Sequence, residues 1–476
     1  MRQILPENLT QKITPKVWEI FKKFTKKGFE IYLVGGGVKN LLQGKKPPLD
    51  CDFTTNATPS EIRLLFPKSF YDNVFGTVAI PIKTSRGPAK IEITTYRSEW
   101  GYSDHRRPDQ VKWGTKLEED LKRRDFTFNA VVIGPLLKNG QWDGKTLEII
   151  DLFGGIKDFE NKIIRAVGNP DERFAEDALR MMRAVRFAAQ FGFVIEEKTF
   201  QAVKKNASLI TKISWERIRD ELFKILSSNY PADGYQLLRN CGLAQIIFPE
   251  VEKMFGVDQK SPGRHHQDDV GTHALKSLKA SRSRDPIVNL AILLHDVGKP
   301  VVVDKDEKGT ITFYNHEVVG ASIARNIANR LRLSKKDTDR LFRLVRWHQF
   351  TVDERQTDKA IRRFIRNVGK ENLTDILEVR RADRIGGGAR ETSWRLEKFK
   401  EKLAEVQKQP FTVADLKVDG HDVMRILNIA PGPLVGKVLN QLFEEVVEDK
   451  TKNERKYLLS RIKEFPRRYR NEFTKR

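Results

Sequence analysis

Strand patterns are confined to the first third of this chain, and this division constrains the fold more than any other feature. Short runs of β-branched and aromatic residues predict strands at residues 31–34, 49–53, 78–82, 90–95 and 130–133. From about residue 157 the spacing of apolar residues becomes helical, as at 175–191, 196–208 and 215–227. The sequence therefore predicts an α+β protein, in which a small mixed-sheet head is followed by an elongated all-α neck and body.

Two further breaks divide the helical part. A loop rich in Gly, Pro, Gln and His runs from residue 257 to 268, and Gln409-Pro410 marks a second boundary. Together with the end of the strand patterns near residue 155, these breaks predict four domains, at residues 1–155, 156–260, 261–408 and 409–476.

The charge of the chain indicates a polyanionic partner. Lys and Arg number 87 against 64 Asp and Glu, a formal net charge of +23. Nucleic acid is the favoured partner, because phosphates that bind to such a surface release counterions. An anionic membrane surface is the weaker alternative. No apolar run of 18 residues is present, so no membrane span is predicted. Two cysteines cannot form a disulfide framework, which favours the cytoplasm.

Asp50 and Asp52 form the first candidate site. Residues two apart in a strand lie on one face, and two adjacent carboxylates repel each other unless a cation lies between them. Their hard oxygen ligands favour Mg²⁺. Glu92, which alternates with apolar residues on a later predicted strand, is a candidate third carboxylate. Solvated acids at an exposed strand edge are the alternative interpretation of all three.

A glycine-rich turn precedes these acids. Gly35, Gly36 and Gly37 stand between a predicted strand and a predicted helix. Glycine there lets the backbone approach a ligand, and a helix N-terminus offers N–H groups to a phosphate. Lys39 follows in the first helical turn and is a candidate ligand of a triphosphate. A glycine turn that leads to a carboxylate pair predicts a site for a nucleoside triphosphate and a metal.

Five long motifs occur in order, at residues 33–40 with 50–59, 96–104 with 121–130, 151–158, 176–188 and 214–218. In these motifs the chain resembles the class II tRNA nucleotidyltransferases and bacterial poly(A) polymerases. The similarity is strong over residues 15–260 and weaker towards the C-terminus. The resemblance implies a nucleotidyltransferase head in which Asp50, Asp52 and Glu92 are catalytic, with Mg²⁺ bound by Asp50 and Asp52.

The motifs differ from the family pattern at three positions. Lys39 and Asn40 stand where the family usually has Arg and Asp, and Ala178 stands where Pro is common. Lysine keeps a charge for a phosphate but loses bidentate geometry. None of the three is a predicted metal ligand, so the resemblance still implies activity.

The resemblance also implies a nucleotide site. It includes Gly35, Gly36 and Lys39, and five residues further along the chain: Arg124, Asp125, Asp177, Arg180 and Arg183. In the family the Arg of the Arg124-Asp125 pair contacts the incoming nucleotide and the Asp lies near its ribose.

Asp177 and Arg180 lie three apart in a predicted helix and so share a face. We interpret them as a protein template that accepts from the amino group and donates to the ring nitrogen of C or A, and rejects U and G. An ordinary intrahelical ion pair is the alternative.

Several histidines and aspartates follow in the helical part. His273, the pair His295-Asp296, and Asp383 resemble the signature of the HD phosphohydrolase superfamily, which implies an HD-like helical region. This donor set suits a divalent transition metal such as Ni, Mn or Co. His316 and His348 extend the set towards a second metal. Phosphatase activity, phosphodiesterase activity and an inactive helical scaffold are all open.

The resemblance favours one function among several. Residues 74–78, 415–420 and 431–436 resemble CCA-adding enzymes, which act on the 3′ end of tRNA with CTP and ATP. Poly(A), CC-only and A-only addition are alternatives within the same class. An HD phosphohydrolase with an RNA-binding front half and a non-enzymatic RNA-binding protein are alternatives from other classes. The sequence leaves the oligomeric state open.

Overall fold

A computed structural model describes residues 1–71, 76–84, 87–100, 110–113, 116–259, 268–350, 357–407 and 413–468. The chain divides into two compact units. The first comprises Met1–Val257, Ser283–Leu290 and Asn326–Ser334, and the second comprises Asp258–Arg282, Ala291–Arg325 and Lys335–Arg476. Within the described ranges, no helix has both the length and the apolar character needed to cross a membrane.

The strands of the first unit are short. In chain order they are β1 Arg2–Ile4, β2 Ile31–Val34, β3 Asp52–Thr55, β4 Phe70–Tyr71, β5 Thr77–Thr84, β6 Gly87–Thr95, β7 Arg97–Trp100, β8 Gln110–Trp113, β9 Val131–Lys138, β10 Gln141–Asp151, β11 Ile163–Ile164 and β12 Val194–Ile195.

Eight of these strands form one mixed sheet, in the order β1-β10-β9-β2-β3-β6-β5-β4. Only the β3–β6 pair in this sheet is parallel. Alternate residues of each strand enter different cores, as expected for a period of two. Ile31 and Leu33 face one core, whereas Tyr32 and Val34 face the other. Both faces of the sheet are therefore covered around β2.

The helices of the first unit follow in chain order: α1 Glu7–Thr10, α2 Pro15–Thr25, α3 Gly36–Leu42, α4 Pro59–Leu65, α5 Leu117–Lys122, α6 Gly155–Glu160, α7 Pro170–Glu176, α8 Leu179–Phe191, α9 Glu197–Asn206, α10 Trp215–Leu226, α11 Pro231–Asn240, α12 Leu243–Ile247 and α13 Pro249–Glu252. Helix α2 shows why they form: Pro15 occupies its first turn, and Val17, Phe21 and Phe24 recur at helical spacing and are buried.

The elements that follow are helices with one short hairpin. They are α14 Val270–Ala280, α15 Pro286–Leu294, α16 Lys299–Val302, β13 Asp304–Lys305, β14 Ile311–Thr312, α17 His316–Arg330, α18 Lys335–Arg346, α19 Asp358–Val368, α20 Leu373–Gly386, α21 Trp394–Gln407, α22 Gly420–Leu427, α23 Pro433–Glu448 and α24 Arg455–Arg468. Helices α22, α23 and α24 share a separate apolar core that includes Val423, Leu442 and Leu458.

The structure confirms the predicted fold class of a mixed-sheet head followed by helices. The three predicted boundaries between the four domains stay predictions. Residues 74 and 75, which contributed to the family resemblance, lie outside the described residues.

Two predicted elements are wrong. The predicted strand 49–53 begins only at Asp52, so Asp50 lies in a turn before it. The predicted helix 175–191 is two helices, because Asp177 adopts an extended conformation between α7 and α8 (φ −140°, ψ 102°).

Strand β10 was absent from the sequence prediction. Its alternation of apolar residues is interrupted where the register shifts between Trp142 and Leu147.

Candidate active site

The parallel pair of β3 and β6 creates the first site. In its register Asp52 is opposite Glu92, so both carboxylates leave the sheet on the same face. They line a cavity of about 470 Å³ together with Val34, Gly35 and several arginines, three of which lie on α8. Eight basic and four acidic side chains line this cavity, which we call the carboxylate pocket. Its chemistry suits a polyanion that carries a cation.

The electrostatics of Asp52 agree with a cation site. Its carboxylate is open to solvent, but the pocket walls displace much of its water, and the charge of Glu92 adds to this effect. Together they raise the pKa of Asp52 to about 6. A divalent ion between the two acids would offset both the lost hydration of Asp52 and its repulsion by Glu92. Asp50 is exposed before β3 and does not line the pocket. Its predicted role as a metal ligand is not tested by this arrangement.

The glycine turn and Lys39 lie beside these acids. Gly35 has a φ of 61°, and a Cβ there would lie 3.2 Å from Oδ2 of Asp52. The backbone conformation therefore favours glycine, and a side chain there would also crowd the Asp52 carboxylate. Lys39 Nζ donates to Oδ1 of Asn129 at 3.2 Å and lies 4.6 Å from the ring centre of Phe187. Burial lowers the pKa of Lys39 to about 8.

Arg124 and Asp125 are held by different partners. Arg124 donates to Oδ2 of the buried Asp120 at 3.1 Å. Asp125 accepts from Arg183 Nε at 2.7 Å and from Asn129 Nδ2 at 2.8 Å. Burial alone would favour a neutral acid, but the charge of Arg183 holds the pKa of Asp125 well below its usual range. Asp125 is thus a fixed anion at the pocket wall.

The expectation that Asp177 and Arg180 share one face of a helix is wrong, and they do not form the alternative intrahelical ion pair. Because Asp177 lies outside the helix, its Oδ2 accepts from Arg217 Nη2 at 3.0 Å instead. Arg180 Nη1 donates to Oε2 of Glu176 at 2.7 Å, and its Nη2 donates to the carbonyl of Arg123 at 3.0 Å. Asp177, Arg180 and Arg183 nevertheless line the same pocket. The two members of the template are brought together in space but are oriented independently.

Four arginines of the pocket were missed by the sequence analysis: Arg97, Arg123, Arg186 and Arg217. All four lie in motifs named above, at 96–104, 121–130, 176–188 and 214–218. A motif shows that a segment matters, but it does not show which of its cations faces the ligand.

The second unit brings together the predicted histidines and aspartates. We call this cluster the His/Asp centre; its members are His273, His295, Asp296, His316, His348 and Asp383. Nε2 of His273 lies 3.1 Å from Nε2 of His295 and 3.1 Å from Oδ1 of Asp383. Nε2 of His316 and of His348 lie 3.4 and 3.8 Å from Oδ1 of Asp296. Two overlapping sets of three potential ligands thus share Asp296.

Main-chain carbonyls orient three of these imidazoles. Nδ1 of His295, His316 and His348 lies 2.7, 2.8 and 2.7 Å from the carbonyl oxygens of Ile292, Phe313 and Val345. A carbonyl only accepts, so Nδ1 carries a proton in each ring, and Nε2 is the ring atom that faces the centre. This is the usual arrangement of histidines that bind a metal.

Asp296 is stabilised as an anion by cationic neighbours. Lys299 Nζ lies 2.6 Å and His295 Nε2 lies 3.2 Å from its Oδ2. Burial opposes ionisation, but these charges hold the pKa of Asp296 well below its usual value. Asp296 in turn raises the pKa of His295 against the effect of burial. Burial and the charge of His295 lower the pKa of His348 to about 3.

Glycine allows the close packing of this centre. A Cβ on Gly298 would lie 2.1 Å from the carbonyl oxygen of His316. The segment that carries Asp296 therefore approaches the start of α17 closely only because residue 298 is glycine. A cavity of about 430 Å³ opens on the centre, lined by Asp296, His316 and His348 among others.

Family models match three segments of the chain. The poly(A) polymerase head domain matches residues 31–165, the RNA- and SrmB-binding site of polymerase A matches residues 192–255, and tRNA nucleotidyltransferase domain 2 matches residues 310–462.

Curated relatives extend these matches. The CCA-adding enzyme of Ligilactobacillus salivarius is 33% identical over 94% of this chain and 96% of its own length. The CCA-adding enzyme of Limosilactobacillus reuteri is 33% identical over 94% of this chain and 95% of its own length. That of Lactobacillus helveticus is 45% identical over 49% of this chain and 55% of its own length.

Solved structures share the fold. The Bacillus stearothermophilus CCA-adding enzyme in complex with CTP is 27% identical, with a TM-score of 0.67, and the match covers 98% of this chain and 100% of that one. The Thermotoga maritima CCA-adding enzyme complexed with tRNA is 19% identical, with a TM-score of 0.58 over 97% and 98%, and shows a likeness of fold alone.

Proposed function

The chain belongs to the family of CCA-adding enzymes, and from this premise we propose how its residues carry out the reaction. The protein adds C and A nucleotides from CTP and ATP to the 3′ end of tRNA without a nucleic-acid template. The observation that carries the proposal is the register of β3 and β6, which sets Asp52 beside Glu92 at the mouth of a basic pocket.

The carboxylates serve as the cation site of this pocket. Asp52 and Glu92, with Asp50 in the segment before β3, would hold Mg²⁺, the ion that fits hard oxygen donors in a polyphosphate site. When bound, Mg²⁺ lowers the pKa of the RNA 3′-hydroxyl and neutralises charge on the departing pyrophosphate. The raised pKa of Asp52 supports this role, because a cation favours its ionised form.

The basic residues hold the triphosphate and the ribose. Lys39 lies one helical turn from Gly35, and its charge is directed into the pocket beside Phe187. Arg124 contacts the incoming nucleotide, and the anionic Asp125 accepts from a ribose hydroxyl. Arg183 keeps Asp125 ionised and aligned for this bond.

Asp177 and Arg180 select the base. Asp177 accepts from the exocyclic amino group of C or A, and Arg180 donates to the adjacent ring nitrogen. Their separate partners, Arg217 and Glu176, hold the acceptor and the donor in fixed positions before a base arrives. U and G present the opposite order of donor and acceptor, so they leave polar groups unpaired and are rejected.

The test is the ladder of products on tRNA that lacks its terminal nucleotides, with each triphosphate supplied in turn. We expect C addition with CTP alone and completion by A when ATP is added. Long A tracts with ATP alone would instead indicate a poly(A) polymerase, and failure to extend with any triphosphate would refute the assignment.

A second activity is supported by the His/Asp centre. We infer that it binds a divalent transition metal such as Ni, Mn or Co, because three imidazoles direct Nε2 towards the carboxylates of the centre. With a metal bound, the centre suits hydrolysis of a phosphate ester, as in HD phosphohydrolases. Metal analysis of the purified protein and of His295→Ala tests this: loss of bound metal in the variant is expected, and equal content would contradict it.

We also place the reaction in the cytoplasm. Cys51 and Cys241 are both buried free thiols, which suits a reducing compartment.

A further inference from the structure

A second cavity adjoins the one that opens on the His/Asp centre. Its volume is about 690 Å³, and the two cavities share Gln349 and Arg380 in their walls. Arg380 connects them directly, because its Nη1 donates to Oδ2 of Asp383 at 3.2 Å. We call the two cavities together the Trp394 groove. A ligand that reaches the centre can therefore extend into the adjoining cavity.

The charge of the adjoining cavity favours an anion. Arg380, Arg384 and Arg395 line it, and its described lining residues include no carboxylate. Arg380 and Arg384 are one turn apart on α20 and so lie on one face of the helix. The carbonyls of Arg390 and Thr392 accept from the Arg384 guanidinium at 3.2 and 3.5 Å, which limits its movement. Fixed guanidinium groups of this kind bind phosphates well.

Two exposed aromatic rings line the groove, one in each cavity. Tyr314 is 77% exposed and lines the cavity at the centre, and Trp394 is 61% exposed and lines the adjoining cavity. Among the large hydrophobic side chains that are exposed in the described part of the second unit, these two are the aromatic ones. Exposed rings beside arginines are the features that bind single-stranded nucleic acid, because bases stack on the rings while phosphates pair with the guanidinium groups.

We propose that the Trp394 groove binds single-stranded RNA, with one base on Tyr314, another on Trp394 and the intervening phosphate at the His/Asp centre. This inference rests on the proposed phosphoryl chemistry of that centre, and it names the substrate class. Stacking tolerates any base, so the groove reads no sequence. It also requires an unpaired strand, because the faces of paired bases are covered by their neighbours.

Photo-cross-linking tests the binding independently of hydrolysis. The full-length protein is irradiated with a tetraribonucleotide that contains 4-thiouridine, and the cross-linked peptides are mapped. We expect cross-links in the peptides that contain Tyr314 and Trp394. Trp394→Ala should lower the yield and weaken binding on the order of tenfold, whereas Trp394→Phe keeps a ring and should retain most of it.

Matched controls separate the groove from general loss of structure or charge. Tyr230→Ala removes an exposed ring from the first unit and should leave the cross-links at Tyr314 and Trp394 unchanged. A polyglutamate peptide tests a protein partner in place of RNA. If the peptide competes as well as unlabelled tetraribonucleotide, or if neither groove peptide is cross-linked, the inference is wrong.

A kinetic comparison separates this inference from the proposed hydrolase. With Mn²⁺, Trp394→Ala should raise KM for the tetraribonucleotide about tenfold and leave hydrolysis of p-nitrophenyl phosphate unchanged, because that substrate is too small to reach residue 394. Equal effects on both substrates would contradict the proposal that the groove binds RNA at Trp394. No hydrolysis of either substrate, with the cross-links intact, would refute the hydrolase and still support RNA binding.

Discussion

The carboxylate pocket and the His/Asp centre both gather acids around a place for a cation, but they balance charge differently. In the pocket, Asp52 faces a second carboxylate, Glu92, and its pKa is raised to about 6. In the His/Asp centre, Asp296 lies against Lys299 and His295, and its pKa is held well below its usual value. The first arrangement leaves repulsion between two carboxylates, which a bound cation would relieve. The second is neutralised by the protein itself, so its acids also stabilise the fold.

The largest expected effect tests the pocket. Asp52→Ala removes the acid that β3 contributes to the proposed cation site, and we expect nucleotide incorporation into tRNA to fall by about 10³-fold or more. Incorporation of labelled CTP measures it. Glu160→Ala, which removes an exposed acid on α6, is the matched control and should keep full activity. Undiminished incorporation in Asp52→Ala would favour a protein whose main activity lies in the His/Asp centre.

The next effect tests the claim that the His/Asp centre stabilises the fold. Asp296→Asn removes the anion between buried cations and should lower the free energy of unfolding by about 3–5 kcal/mol. Urea unfolding in the presence of a chelator measures this without a contribution from bound metal. Unchanged stability would show that Asp296 does not stabilise the fold through its cationic neighbours. The two sites would then not differ in their contribution to stability.

Base selection is expected to be more modestly affected. Asp177→Asn supplies an amide that donates as well as accepts, so UTP is no longer rejected at that position. We expect the ratio of kcat/KM for CTP over UTP to fall about 10²-fold. Asp171→Asn alters a nearby acid on α7 that pairs with Lys205, and it should leave the ratio intact. If kcat/KM falls for both CTP and UTP and their ratio is unchanged, Asp177 does not select the base.

The smallest effect has the opposite sign to that of Asp296→Asn. An acid whose pKa is raised on folding destabilises the folded state when it is ionised. Without metal, Asp52→Asn should therefore raise the Tm at pH 7 by about 2 °C, a small value because solvent screens this open site. The difference from the unaltered protein should disappear as the pH falls from about 6 to about 4, where Asp52 becomes protonated. If calorimetry shows a lower Tm for Asp52→Asn than for the unaltered protein at pH 7, ionised Asp52 does not destabilise the fold and the prediction is wrong.

Local patterns predicted the parts of the sites that depend on short segments. The glycine turn at residues 35–37 and the end of α15 immediately before His295 were both expected from neighbouring residues. Glu92 was expected at the same site as Asp52, but the parallel register that sets the two opposite each other was not, because forty residues separate them and long-range hydrogen bonds set the register. The break at Asp177 was also missed, because helical spacing continues on both sides of a residue whose partner, Arg217, is forty positions away.

The carbonyls that orient the histidines have a consequence for how this protein can vary. Each carbonyl lies three residues before its histidine, at Ile292, Phe313 and Val345, and every residue type supplies the same oxygen. The conformation of the main chain, and not any side chain, therefore determines which imidazole nitrogen carries the proton. Substitutions at these three positions can repack the interior while the histidines keep the same face towards their ligand, so this part of the centre is robust to mutation.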